Sequence, residues 1–396
     1  MIERLQEAGY QAYLVGGSVR DLLLGHDPKD FDIATSAEPD EIAAEFKNCR
    51  LIGRRFRLAH IYYGRELIEV ATFRGSADEL KDEHLSESGR ILRDNVFGTL
   101  EEDAIRRDFT INALYYDPVK NEVTDYVNGM QDLRQSKLRL IGDIEQRYRE
   151  DPVRMLRAAR FAAKLNFHID PAEEQLIYTH GRLLGDISPA RLFEESRKLF
   201  MSGCALTTFE MLRHYHLFEY LYPQAAQALS IKDSEFPLQM VIQGMKNTDS
   251  RIAEGKPVTP AFLYAVILWE AVRLLANDIQ SSEQISAGTA LEQAGAIVTR
   301  NQVQHISIPK RFSHPMKEIW KLQPRFSNRR PKSVPRLIAH PRFRAAYDFL
   351  LLRAGVGEAE EELADWWTEI QLTHKVPEHV HKKRPNTRPR RKRSQK

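Results

Sequence analysis

A chain of 396 residues exceeds what a single core of ordinary size covers, and two or three domains are expected. Hydrophobic residues at 42% and charged residues at 29%, with a net charge of +3, are those of a soluble globular protein, and the longest apolar run, Ala261 to Trp269, is nine residues where a bilayer span needs ~20. Cys49 and Cys204 alone exclude a disulfide framework and leave no readable zinc site; together with an N-terminus that carries Glu3, Arg4 and Glu7 and lacks a secretory apolar segment, they point to a cytoplasmic protein.

The first 140 residues mix strand and helix signals. The apolar run Ala12 to Val15 leads into Gly16-Gly17 and then a helical pattern, Val19, Leu22 and Leu23, that ends at Gly25. A strand is predicted around Phe31 to Ala34, a helix from Pro39 to Phe46, and a hairpin from Leu58 to Tyr63 and Leu67 to Phe73 turning at Gly64-Arg65. The polar stretch Arg74 to Asp94 reads as a loop beside a site. From Arg149 onward helix follows helix, as in Asp151 to Leu165, Pro189 to Met201, Pro260 to Leu275 and Arg342 to Leu352. The expected fold is α+β, a small α/β head in front of an all-α remainder, with a boundary near residues 140–150.

The chain closes on a single-sign block: Lys382 to Lys396 holds nine Lys or Arg and no acid, so that subtracting nine from +3 leaves −6 for the rest. Such a segment, interrupted by Pro385 and Pro389, cannot bury apolar surface, and disorder is predicted from residue 376. Clustered cations attract polyanions by counterion release, which makes RNA the expected partner of Arg390, Arg391, Lys392 and Arg393; a solubilising tail is the alternative.

Two constellations in the head carry chemistry. Gly16 and Gly17 stand between a strand and a helix, where glycine lets backbone approach a phosphate and the helix start offers free NH groups; Arg20, one turn in, is placed to clamp the same anion. A Gly-Gly turn with Ser18 is also an ordinary helix entry. Then follows Asp30-Phe31-Asp32, where strand alternation puts two carboxylates on one face. They repel unless a cation lies between them, and magnesium takes hard oxygen ligands of this kind. D-x-D is common in exposed turns; its position within fifteen residues of the glycine loop favours the metal clamp.

Here the sequence resembles the nucleotidyltransferase superfamily that includes DNA polymerase beta, and within it the class joining bacterial poly(A) polymerases and CCA-adding enzymes. The matching residues are the Gly16-to-Asp21 run, Asp30-x-Asp32, Arg106-Arg107-Asp108-Phe109-Thr110-Ile111-Asn112 and the Glu150-to-Phe161 run, continuing through Pro189 to Glu195. The resemblance implies a head (1–145) with a mixed sheet, a helical neck (146–205) that holds the nucleotide base, and an all-α RNA-binding body (206–375). It implies Asp30 and Asp32 as ligands of two Mg2+ ions, Arg107 as a nucleotide contact and Asp108 as a catalytic-site residue. A third carboxylate is wanted beside the pair, and Asp108 and Glu69 are the two candidates.

In the neck, Asp151, Arg154, Arg157 and Arg160 recur every third residue and therefore wind around the helix, drifting about 60° backward per step. They cannot all meet one base. The first two or three are expected to read its hydrogen-bonding edge, while Arg157 or Arg160 reaches a phosphate or an acidic neighbour.

The run Leu51-Ile52-Gly53-Arg54-Arg55-Phe56-Arg57-Leu58-Ala59-His60-Ile61 resembles bacterial poly(A) polymerases rather than CCA-adding enzymes. Arg54 and Arg55 read as RNA-phosphate contacts, although an exposed basic turn accounts for them equally well. The expectation is adenylate transfer from ATP to RNA 3′ ends, with a part in mRNA processing and RNA decay and with the RNA-decay machinery as a possible partner; addition of C, C and A to tRNA is the alternative.

Overall fold

The computed structural model describes residues 1–53, 57–64, 66–75, 96–231 and 236–373. Arg54, Arg55, most of the loop expected from Arg74 to Asp94, and the basic tail with Arg390, Arg391, Lys392 and Arg393 lie outside the described residues.

The head is built on seven strands: β1 (Ala12–Val15), β2 (Asp32–Thr35), β3 (Cys49–Ile52), β4 (Leu58–Tyr63), β5 (Glu66–Thr72), β6 (Leu114–Asp117) and β7 (Glu122–Asp125). They lie in the order β3-β4-β5-β2-β1-β6-β7. Only β2 and β5 run parallel; the other neighbours are antiparallel, so the sheet is mixed. The hairpin expected from the alternation is β4–β5, and Gly64, at φ +61, makes its left-handed turn. One face of the β3–β4–β5–β2 half is core, with Ala59, Ile61, Val70 and Ile33 buried; the other carries Arg50, Tyr62, Leu67, Glu69 and Asp32 in the open. Period-two alternation dictates that division once the core face is chosen.

Helices fill the chain after Ile144, as the change in periodicity predicts, and β9 (His168–Ile169) is the single strand beyond that point among the described residues. It pairs in parallel with β8 (Lys137–Leu138) and ties the first neck helix back to the end of the head. That helix, Val153–Leu165, starts two residues later than the sequence suggests. Pro152 has helical dihedrals but cannot donate, and the Asp151 carboxylate accepts from the Val153 NH at 3.3 Å. Asn166, in the left-handed conformation, ends it. The head–neck junction is continuous core, with the Phe109 and Phe161 rings edge to face at 5.7 Å.

In the body, Pro260–Glu283 is the central helix, capped by Thr259, whose hydroxyl accepts from the Phe262 NH. Eight of the nine residues of the apolar run Ala261 to Trp269 are buried inside the protein, which is why a run too short for a bilayer is so hydrophobic. No helix among the described residues is long and apolar enough to cross a membrane.

Candidate active site

The sheet edge where β1 and β2 terminate gathers the chemistry. β1 runs into Gly16, whose φ of +77 and ψ of −135 suit glycine and turn the chain into the short helix Gly17–Leu23. Ser18 does not face a ligand; its hydroxyl donates to the Val15 carbonyl at 3.0 Å and fixes the turn on the strand. Beside that turn stands Arg107, since a Cβ on Gly16 would lie 3.6 Å from Arg107 Nη1. Arg107 Nε and Nη2 donate to Asp103 Oδ2 at 3.2 and 2.9 Å, and Nε also reaches the Tyr115 hydroxyl at 2.9 Å. Tyr115 in turn donates to Asp103 Oδ2 at 2.6 Å, closing a triangle that aims the remaining guanidinium nitrogen at the glycine turn. Burial opposes the charge on Arg107, but Asp103 outweighs it and keeps the guanidinium fully cationic. Sequence reasoning missed Asp103 and Tyr115. Nothing in Glu101-Glu102-Asp103 marks one acid out from an ordinary acidic helix start.

Asp32 opens β2 and Asp30 precedes it by two residues, both exposed at the rim. The Asp32 carboxyl is raised above its ordinary value, first by desolvation and then by the negative charge of Glu69; Arg107 pulls it down in part, and Asp30 raises it further. Two other acids and one cation thus act on Asp32. Asp32 and Glu69 are directly opposite across the parallel β2–β5 pair.

The two candidates for a third carboxylate stand in different surroundings. Asp108 does not turn toward the pair. Its Oδ1 accepts from the Phe109 NH at 2.8 Å and from Asn112 Nδ2 at 3.2 Å, and its Oδ2 is gripped by Arg157 through Nε at 2.8 Å and through Nη2. Burial pushes the Asp108 carboxyl up, but Arg157 and these donors outweigh it and hold it below the usual range. Asp108 is thus committed to Arg157 and Asn112, while Glu69 is the acid that stands opposite Asp32. Glu69 is exposed, because alternation sends it to the open face and Ile68 and Val70 to the other.

Arg20 is committed in the same way. It is 2% exposed; its Nε and Nη2 bind Asp21 Oδ1 at 2.8 and 2.6 Å, and its Nη1 binds Asn112 Oδ1 at 2.6 Å. All three guanidinium nitrogens therefore have protein partners. Arg20 joins a chain of contacts, Asp21–Arg20–Asn112–Asp108–Arg157, from the helix after the glycine turn to the neck.

The neck arginines diverge as their spacing requires. Arg154 Nη1 donates to the Arg147 carbonyl at 2.6 Å and to Glu150 Oε2 at 3.2 Å. Arg157 meets the acidic neighbour Asp108, and Arg160 packs over the Phe161 ring at 4.4 Å. Arg20 and Arg157 each lie 5.3 Å from the same ring. Asp151 is paired with Arg191 at 2.6 Å, a partner the sequence did not suggest. Arg147 Nη2 donates to the Arg106 carbonyl at 2.8 Å and also to that of Arg107, so the neck fixes the backbone of the Arg-Arg-Asp motif.

No preformed cluster of three metal-ligating side chains occurs among the described residues. The Asp30–Asp32 pair with its raised carboxyl nevertheless fits magnesium, which is commonly held by one or two carboxylates together with substrate phosphates.

Comparison with known proteins agrees with this arrangement. Residues 12–139 match the family model described as poly A polymerase head domain, residues 166–229 that described as probable RNA and SrmB-binding site of polymerase A, and residues 283–396 that described as polymerase A arginine-rich C-terminus. Poly(A) polymerase I of Salmonella typhimurium is 48% identical over 94% of this chain and 82% of its own length. The CCA-adding enzyme of Lactobacillus helveticus is 34% identical over 63% of this chain and 64% of its own. The crystal structure of the Bacillus stearothermophilus CCA-adding enzyme in complex with CTP superposes with a TM-score of 0.62 at 24% identity, over 94% of this chain and 80% of that one, and shares the polymerase-beta-like fold. By sequence over nearly its whole length, the chain belongs to the poly(A) polymerase I family.

Proposed function

We propose that the protein transfers AMP from ATP to RNA 3′ ends without a template, releasing pyrophosphate. The observation that carries this reading is the meeting of Asp30, Asp32 and Glu69 at the strand edge beside the Gly16 turn and Arg107, in a chain whose full-length relatives are poly(A) polymerases. Asp30 and Asp32 would hold two magnesium ions, which when bound lower the pKa of the attacking 3′-hydroxyl and neutralise charge on the triphosphate.

The protein's own groups do the rest by positioning. Arg107, locked by Asp103 and Tyr115, presents a fixed cation beside the glycine turn, where a triphosphate would lie and where negative charge gathers as pyrophosphate departs. Glu69 adds negative charge next to Asp32 and strengthens its hold on cations. Asp151 and Arg154 offer an acceptor and paired donors to the base edge, the means by which protein selects a base when no template is present. Asp108 and Arg157 keep head and neck in register, so that the base-reading helix and the carboxylates address one nucleotide.

We assign residues 1–145 to the catalytic head, 146–205 to the nucleotide-binding neck, 206–375 to the RNA-binding body and 376–396 to a basic tail. Arg54, Arg55 and the Arg390–Arg393 run are proposed RNA-backbone contacts on their charge. A role in RNA decay, alongside the decay machinery, follows from 3′ tailing as the expected biology.

The deciding experiment offers each nucleoside triphosphate in turn, with magnesium, to the purified protein and an arbitrary RNA primer. Open-ended ladders with ATP alone are expected. Two CMP and one AMP added to a tRNA lacking its terminus, followed by arrest, would assign the chain to CCA addition instead.

A further inference from the structure

The carboxylates are one end of a longer row. Strand register places Asp32 opposite Glu69, Glu69 opposite His60, and His60 opposite Arg50, so that four residues from β2, β5, β4 and β3 stand side by side on the open face. At the usual strand spacing this row runs about 14 Å outward from Asp32. Its charges are ordered, acidic at the reaction centre and basic outboard. Beside it on the same face, Tyr62 lies opposite Leu67, 38% and 40% exposed, and the Arg50 guanidinium rests over the Tyr62 ring at 5.6 Å. His60 Nε2 is buried 3.1 Å from Glu69 Oε1, yet it makes no hydrogen bond among the described residues and has a donor or acceptor to offer.

We propose that this outboard face, formed by Arg50, His60 and Tyr62, seats the 3′-terminal nucleotides of the RNA acceptor. The inference rests on the polyadenylation reading and adds a place to it. In β-sheet order the carboxylates have β1, the Gly16 turn and Arg107 on one side, and β5, β4 and β3 on the other. Phosphoryl transfer requires the entering and leaving oxygens to be roughly in line, on opposite sides of the α-phosphorus. With the triphosphate toward Arg107, the 3′-hydroxyl arrives from the β5–β3 side. The chemistry of that side suits an unpaired RNA end: a cation for the phosphodiester, an exposed aromatic ring on which any base stacks, and no set of fixed hydrogen-bonding groups that would demand a sequence. The Leu51-to-Ile61 run, which separates the poly(A) polymerases from their relatives, supplies the second half of β3 and Leu58 to Ile61 of β4, and of the three seat residues it contains His60. Its residues on this face therefore belong to the acceptor rather than to the nucleotide.

The test uses full-length protein and the variants Arg50→Ala, Tyr62→Leu and Tyr62→Phe. KM is measured for an oligoadenylate primer at saturating ATP and for ATP at saturating primer, and primer binding is followed separately by fluorescence anisotropy across salt. Arg50→Ala and Tyr62→Leu are expected to weaken primer binding and raise the primer KM by about tenfold, with the ATP KM unchanged. Tyr62→Phe should behave as wild type, because the ring rather than the hydroxyl does the stacking. Arg50→Ala should also flatten the salt dependence by roughly 0.7 in log-log slope. Arg50 and Tyr62 are both solvent-exposed, and circular dichroism should be unchanged. Primer affinity and KM unaltered in both Arg50→Ala and Tyr62→Leu, or a change confined to ATP, would overturn the assignment. A wild-type protein that binds primer through these residues but transfers no AMP would retain the seat and sink the polyadenylation reading.

Discussion

Arg157, about one turn into the neck helix Val153–Leu165, grips the carboxylate of Asp108 in the head, and the Asn112 side chain passes that grip on to Arg20. The same acid that the Arg-Arg-Asp motif marks as a site residue is thus a fastening between two parts of the protein. Because the Asp108 carboxyl is held below its ordinary value, its contribution to stability is present above about pH 4 and is lost as pH falls through the lowered folded value. Asp108→Asn should lower stability at pH 7 by about 1–3 kcal/mol, since Arg157 is left partly buried without its partner. The loss should shrink in acid. Thermal melts of both proteins from pH 3 to 7 check this, and an equal deficit at every pH would show that the ion pair is not its source.

Neutralising the carboxylate pair should do the opposite to stability. Asp30→Asn or Asp32→Asn is expected to reduce transfer at least ~1000-fold, because each removes charge where cations are held. Asp32 is destabilised in its ionised form by its acidic neighbours, so Asp32→Asn should melt no lower than wild type at neutral pH. Magnesium should raise the wild-type melting temperature and leave that of Asp32→Asn nearly unmoved. Single-turnover transfer and melts with and without magnesium measure both effects.

Arg154 is tied to the Arg147 carbonyl and to Glu150 by one nitrogen, Nη1, and is proposed to read the base. Arg154→Ala should therefore erode the preference for ATP over the other nucleotides by about tenfold, the worth of one good hydrogen-bonding group. The magnesium dependence of the reaction should stay as it was. Competition between ATP and GTP or CTP on one primer gives the ratio directly, and preserved selectivity would remove Arg154 from base reading.

Glu173 is fully buried between neck and head, accepting from the Tyr148 hydroxyl at 2.6 Å and from the Leu140 NH at 2.9 Å. Burial pushes its carboxyl up to about 7 against the help of these two donors. The folded protein keeps this proton to about pH 7 while the unfolded chain releases it near 4, so its stabilisation is full in acid and declines as pH rises between those values. Glu173→Gln, which retains an acceptor but cannot ionise, should flatten the pH dependence of stability between pH 5 and 8 and gain on wild type above pH 7. Parallel melting curves of the two proteins over that range would exclude the effect.

Much of this site was legible beforehand, because its identity is local. Two glycines between strand and helix, two aspartates at alternating positions and a proline-initiated helix carrying arginines every third residue state their chemistry through residue type and spacing, and the change from period two to period 3.6 near residue 145 separates head from helices. The roles of Arg20, Asp108 and Glu69 were not legible. Each depends on what stands opposite: Asn112 and Asp21 for Arg20, Arg157 for Asp108, and Asp32 across a parallel strand pair for Glu69. Asp21 apart, these partners stand 37 to 92 positions away and meet only when strands choose neighbours and register, and a buried arginine and an open one read alike in sequence. Local sequence therefore determined which groups were available and on which face of an element they lie; tertiary packing decided which of them are committed to one another and which are left free for substrate.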